Sequence, residues 1–204
     1  MALAVKICGL TNRDDALHAL ECGADYIGFV LYAQSPRGIS PMQLARIMDE
    51  LPGTCRAVGV FVNMARRGVE QVAKDCRLHV AQLHGDEPAA DFAGFSGQLW
   101  RAVRFQGGEW APAPDGWPAE SYVVDSAAGR SYGGTGVVGD WTAAAKFAAS
   151  HRTMLAGGLN PGNVAEAIRA VRPAGVDTAS GVESGPGRKD PARVREFIRA
   201  ARGA

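Results

Sequence analysis

Short β-branched runs alternate with segments of helical period along the whole of this 204-residue chain, and that rhythm restricts its fold more than any single motif does. The runs predict strands over 5–8, 26–30, 57–61, 80–83, 99–103, 122–125, 153–156 and 176–178. Between them lie stretches such as "RDDALHALECG" and "PGNVAEAIRAV"; in the second, Val164, Ala167, Ile168 and Val171 share one face of a helix. Asn160 is placed to cap that helix and Pro161 to open it, and Asp190 with Pro191 repeats the pattern before the final helix. Strands joined by crossovers of this length pair in parallel, and eight of them close into a (β/α)8 barrel without a second domain. One domain over residues 1–204 is therefore expected, and a 47% hydrophobic content supplies its core. An open doubly wound sheet is the alternative, but no G-x-G-x-x-G fingerprint follows the first run. The fifth crossover breaks the rhythm. "FQGGEWAPAPDGWPA", at 105–119, is rich in Pro and Gly and predicts a degenerate unit with little room for a helix.

Charge and cysteine usage exclude several classes. Lys plus Arg total 22 against 21 Asp plus Glu, and the basic residues form no run long enough to suggest nucleic acid as a partner. The opening "MALAVKICGL" is broken by Lys6 and is too short for a secretion signal. No stretch approaches the roughly 18 uncharged apolar residues of a membrane span, so the chain is expected in the cytoplasm. Its four cysteines, Cys8, Cys22, Cys55 and Cys76, include no C-x-x-C pair and read as reduced thiols. The four histidines have no zinc-ligand spacing, so no metal is expected. An apolar outer helix face is compatible with core or interface, so no oligomeric partner is assigned.

In a barrel, active sites form at the C-terminal ends of the strands. Cys8 stands there after the first strand, Gln82 and His84 after the fourth, and Asp125 after the sixth. Gly157 and Gly158 follow the seventh, and Ser180 and Gly181 the eighth. Polar and glycine residues thus recur at one rim.

Several motifs, in order along nearly the whole chain, resemble phosphoribosylanthranilate isomerase of tryptophan biosynthesis. They are "KICGLTNRDDA" at 6–16, "SPRGIS" at 35–40, "VGVFVN" at 58–63, "QLHGDE" at 82–87, "VVDS" at 123–126, "YGGTG" at 132–136, "AGGLNPGNV" at 156–164 and "DTASGVESGPGRKD" at 177–190. The resemblance implies a (β/α)8 barrel that uses no cofactor. It also implies an Amadori rearrangement of N-(5-phosphoribosyl)anthranilate to 1-(2-carboxyphenylamino)-1-deoxyribulose 5-phosphate. Carried over, the general base falls on Cys8 and the general acid on Asp125, while Arg37 faces the anthranilate carboxylate. Gln82 and His84 fall at the aromatic end. Gly157, Gly158, Ser180 and Gly181 fall at the phosphate, where barrels commonly bind it after their last two strands.

The chemistry agrees with these residue types. Opening the furanose needs an acid near the ring oxygen, and moving the proton from the sugar C2 needs a base. A cysteine base works as thiolate, against a free pKa of about 8.5. Lys6, two residues earlier on the same side of the strand, supplies a cation that favours thiolate; its alternative role is an interior ion pair with a carboxylate such as Asp177. Asp125 closes the apolar run "YVV", where desolvation raises an acid's pKa in the needed direction. Its alternative is a turn cap. An arginine grips a carboxylate through two parallel hydrogen bonds; the plainer reading of Arg37 is a solvated loop residue.

Two positions depart from the family pattern. Ala179 replaces the first of two serines, which removes one hydroxyl from the phosphate end, and "GDW" at 139–141 lacks an aromatic at Gly139. The glycine-rich loop at 131–139 is expected to close over the substrate. Competing readings are a metal-dependent phosphosugar epimerase, the ring-closing synthase of the same pathway, a barrel that acts also on the histidine-pathway aminoaldose, and a retired barrel that only binds phosphorylated metabolites. The rim lacks the converging His and Asp ligands of the epimerase and the Lys and Glu of the synthase.

Overall fold

The runs are apolar almost without interruption because each strand is covered on both faces. In the computed structural model, which describes residues 3–125 and 140–204, the strands in chain order begin with β1 (Ala4–Ile7), β2 (Tyr26–Val30), β3 (Ala57–Phe61), β4 (Val80–Leu83) and β5 (Gln98–Gln106). The short β6 (Glu109–Ala111) is followed by β7 (Ser121–Asp125), β8 (Thr153–Ala156) and β9 (Gly175–Thr178). Without β6, each strand pairs in parallel with the next, and β9 returns to β1, so the eight form a closed ring. All eight expected strands are present; β1 is shifted by one residue, which leaves Cys8 just past its end.

One set of side chains fills the ring interior, among them Tyr26, Val58, Val80, Trp100, Val123 and Met154. The outward set, including Ile7, Phe29, Phe61 and Leu155, packs with Leu44, Val164 and Phe197 beneath the helices. Burial on both sides is what a parallel sheet in this architecture requires.

The helices are α1 (Arg13–Glu21), α2 (Pro41–Asp49), α3 (Arg66–Asp75), α4 (Trp141–Ala148), α5 (Val164–Val171) and α6 (Pro191–Arg202). Asn12 caps α1, Ser40 and Gln43 form a capping box on α2, and Asp190 accepts from the first N–H groups of α6 ahead of Pro191. The start of α5 differs from the sequence expectation. Asn160 Oδ1 accepts from Gly162 N–H and closes a turn first, so Asn163 stands at the helix start and Pro161 lies outside it.

The fifth crossover is degenerate, as expected. Gly107 and Gly108, both at positive φ, fold β5 back onto antiparallel β6, and Trp110 then packs on Phe147 with ring centroids 4.4 Å apart. The fourth crossover is reduced as well, to a 3₁₀ turn over Ala89–Phe92. Pro88, Gly94 and Gly97 interrupt any longer helix there, and Phe92 fills the space against Phe95 and Trp117. Beyond β9, β10 (Glu183–Gly185) and β11 (Arg188–Lys189) form a small antiparallel hairpin in which Glu183 stands opposite Lys189. Residues 126–139, with "YGGTG", Gly139 and the loop expected to close over substrate, lie outside the described residues.

Candidate active site

An open cavity lies at the C-terminal ends of the strands, lined by Cys8, Arg37, Gln82, His84, Asp125, Gly157, Gly158 and Ser180 among others. Of the expected site residues only Gly181 is absent from the lining. It lies behind Ser180, where a Cβ would collide with the Leu159 carbonyl oxygen, so glycine is what lets the loops after β8 and β9 touch. Val30, Val60 and Val62 form an apolar wall on the side of β2 and β3.

On the first side stands the thiol. Cys8 is 8% exposed, and beneath it Lys6 is fully buried with Nζ 2.8 Å from Asp177 Oδ2. The pair follows from register, since Lys6 and Asp177 are direct partners across β1 and β9. Both sequence readings of Lys6 therefore hold: it is an interior ion pair, and it is the thiol's neighbour. Gly28 on β2 makes the space for this, because a Cβ there would come within 2.7 Å of Cys8 Sγ and 3.0 Å of Lys6 Cε. Burial pushes the Cys8 thiol up, the Lys6 cation pulls it back and Asp177 pushes it up again, for a net rise. Desolvation thus outweighs the lysine. Burial would lower Lys6 itself, but the charge of Asp177 and of the thiolate outweighs it, and the ammonium is held above its ordinary value.

On the other side is Asp125, 3% exposed at the end of β7. Its Oδ2 is 3.3 Å from His84 Nε2, and His84 Nδ1 is 3.1 Å from Gln82 Nε2. With the Gln82 amide donating to Nδ1, the imidazole proton sits on Nε2 and faces the carboxylate. The expectation had placed Gln82 and His84 at the aromatic end. Both line the cavity, and together they form a hydrogen-bonded chain that ends on Asp125. Gln82 is held inside the ring by β4, and its Oε1 is buried with no hydrogen-bond partner among the described residues.

Arg37, in the loop after β2, is neither solvated nor free. Its Nε donates to Glu183 Oε1 at 2.8 Å and its Nη2 to Glu183 Oε2 at 2.7 Å. Its stem passes over Gly9, at φ 72°, where a Cβ would lie 2.6 Å from Arg37 Cδ. Glu183 also accepts from Lys189 Nζ at 2.9 Å. Burial would raise Glu183, but the hydrogen bonds and charges of Arg37 and Lys189 outweigh it and hold the carboxyl below its usual range. The bond to Glu183 raises Arg37, and burial lowers Lys189. Reading the sequence for strand ends missed Glu183 and Lys189. The signal for them is "SGPGRK", a turn between two short extended segments, which brings the residues flanking it together.

At the phosphate end, Gly157 and Gly158 adopt φ of 82° and 69° after β8, and Ser180 opens a 3₁₀ turn after β9. The N–H groups of Gly158 and Ser180 donate to no acceptor among the described residues, and both residues line the cavity. The Thr178 hydroxyl donates to the Leu159 carbonyl at 2.7 Å and ties the two loops together. Free backbone donors at paired loops of this kind form a ready anion site.

The closed ring, with its polar cavity at the strand ends, puts the molecule among the (β/α)8-barrel enzymes. Residues 5–200 match the family described as N-(5'-phosphoribosyl)anthranilate isomerase, and the chain belongs to that family. It is 47% identical over 203 residues to the N-(5'-phosphoribosyl)anthranilate isomerase of Trichlorobacter lovleyi, an alignment that covers 99% of both chains. The crystal structure of phosphoribosyl anthranilate isomerase from Thermotoga maritima aligns with a TM-score of 0.86 at 36% identity, over 99% of this chain and 100% of that one. A further crystal structure of phosphoribosyl anthranilate isomerase, in complex with reduced 1-(o-carboxyphenylamino)-1-deoxyribulose 5-phosphate, aligns with a TM-score of 0.83 at 36% identity and the same coverage. Resemblance, barrel and isomerase class all agree with the sequence reading. Among the described residues, no helix is long and apolar enough to cross a membrane.

Proposed function

We propose that Cys8 and Asp125 carry the two proton transfers of phosphoribosylanthranilate isomerisation in this chain. The observation that supports this most is their placement: thiol and carboxyl line one cavity from the ends of β1 and β7, together with Gly158 and Ser180, whose N–H groups donate to no acceptor among the described residues. The substrate phosphate binds at Gly157, Gly158 and Ser180, and Gly181 behind them serves by letting the two loops touch. Ala179 contributes no hydroxyl there, so the backbone donors do most of the holding. The anthranilate ring lies along Val30, Val60 and Val62, with its carboxylate toward Arg37.

Asp125 gives its proton to the furanose oxygen as the C1–O bond breaks, and the aniline nitrogen supplies the electron pair that forms the C1 iminium. The carboxylate left behind is met by the His84 Nε2–H, so negative charge forms where a donor already waits. Cys8 removes the C2 proton, and its electron pair neutralises the iminium to an enolamine. The enolamine then takes a proton at C1 while its C2 hydroxyl gives one up, and the neutral 2-ketone results with no net gain of protons. The resting thiol is held up by burial, and the iminium adds a second cation beside Lys6 at the moment thiolate is needed. The reaction requires no cofactor. The chain works as one domain in the cytoplasm, with its four free cysteines reduced.

The test follows loss of phosphoribosylanthranilate by its fluorescence for the parent, Cys8→Ala and Asp125→Asn. Each variant is expected to lose about 10²–10⁴-fold in kcat while still binding the reduced product analogue. Turnover that survives Cys8→Ala returns that sulfur to the core. A folded parent that binds the analogue without turnover is a retired barrel.

A further inference from the structure

Arg37 is expected to hold the substrate carboxylate, yet its side-on edge, Nε with one Nη2 proton, is already filled by Glu183. A guanidinium has five N–H donors in one plane. With the side-on edge taken, the end-on edge made by Nη1 and the second Nη2 proton remains, and Arg37 lines the cavity. We propose that Glu183 is a positioning residue for substrate selection: it clamps Arg37 side-on so that the end-on edge presents two parallel donors to the aryl carboxylate. The proposal rests on the reading of Arg37 given above.

Three observations support it. The clamp is built rather than incidental, because Arg37 and Glu183 side chains are only 13% and 5% exposed and the arginine stem occupies the space that Gly9 vacates. The charge count also fits. Glu183 is shared by Arg37 and Lys189, two cations on one carboxylate, which leaves one positive charge for an incoming anion. Finally, Glu183 is itself fixed: β10 and β11 set it opposite Lys189, Lys189 Nζ also donates to the Ala179 carbonyl, and Arg193 Nη1 donates to the Glu183 carbonyl at 2.7 Å. An arginine left unclamped has several rotamers to lose on binding; one held on two bonds has already lost them.

A purely structural Glu183, stapling the hairpin, makes a different prediction. The experiment measures Kd by calorimetry for reduced 1-(2-carboxyphenylamino)-1-deoxyribulose 5-phosphate and for the same compound without its carboxyl group. The native protein is expected to prefer the carboxylated ligand by about 10²-fold, the scale of a desolvated, hydrogen-bonded charge pair. Glu183→Gln, nearly isosteric, is expected to cut that preference about tenfold or more and to raise KM while leaving kcat close to native, as loss of uniform binding does. Added to Arg37→Ala, it should have no further effect on the preference. If the Gln variant is too unstable to purify, Glu183→Asp, which keeps the charge on a shorter stem, is measured in its place and is expected to lower the preference in part while kcat stays close to native. Parallel weakening of both ligands with the native preference intact would overturn the proposal and leave Glu183 a staple. A native protein that turns over substrate but does not prefer the carboxylated ligand overturns it too, through the Arg37 reading. Absence of turnover in the native protein means that the function itself was misread.

Discussion

Around Cys8 the neighbours are ions: Lys6 with Asp177 beneath the sulfur, and Arg37, Glu183 and Lys189 toward the hairpin. On the side of Asp125 the chain of contacts runs through an imidazole and an amide. Fixed charges in a poorly solvated interior act over several ångströms and set how tightly a proton is held. Hydrogen bonds act only at contact and set where a group points. A base whose proton must leave benefits from the first kind of surrounding. An acid that must meet one ring oxygen benefits from the second. Substitutions on the two sides should therefore fail in different ways.

The sharpest break comes from Gly28→Ala. The added methyl lies within 2.7 Å of Cys8 Sγ and 3.0 Å of Lys6 Cε, so the sulfur must move. A displacement of about 1 Å can cost about 10²-fold in rate, and kcat is expected to fall by that order while analogue binding is kept. An unchanged kcat would mean that the sulfur is not placed by this contact. Lys6→Met is expected to act on pH rather than on placement. It removes the cation that lowers the thiol and frees the Asp177 charge that raises it, so the ascending limb of kcat/KM against pH moves to higher pH. Because breaking a buried pair costs about 3–5 kcal/mol, the double variant Lys6→Met/Asp177→Leu serves as the folded control, with a smaller upward move. An identical profile in all three proteins would remove Lys6 from any part in the base. The smallest effect belongs to the other side. Gln82→Met takes away the donor that fixes the His84 tautomer, worth about 1 kcal/mol, or about fivefold in kcat. Here the ascending limb should stay where it is; a shift would show that the two sides are electrostatically coupled.

The difference between the sides also explains what could be read from the chain alone. The eight strands were legible because burial on both faces leaves runs such as "AVGVF" and "YVVD" with almost no polar interruption. Since all eight point the same way, a strand-end residue is automatically a rim residue, and Cys8 and Asp125 follow from that alone. Partnership between distant residues is harder to read: the pair of Lys6 with Asp177 was among the expected alternatives, but those made by loop residues were not. Arg37 meets Glu183 over 146 residues and His84 meets Asp125 over 41, and both contacts depend on ring closure and on loop paths that no local pattern encodes. The early start expected for α5 failed for a local reason: Asn160 suits a cap and a turn equally, and in the fold the turn prevails. The reduced fourth crossover was overlooked because its Gly and Pro residues are spread among the apolar residues of "EPAADFAGFSG".

Lys6 and Asp177 are separated by 171 residues, which has a consequence for how the molecule is made. At about 5–20 residues per second of synthesis, Lys6 leaves the ribosome roughly ten to thirty seconds before its counterion exists. Throughout that interval the ammonium destined for the middle of the ring lacks its native partner, and burying it unpaired is costly. The strand that ends the wait is the one that closes the ring. A chain stopped short of residue 177 therefore lacks both the strand that closes the ring and the carboxylate that pairs with the buried lysine beneath the sulfur.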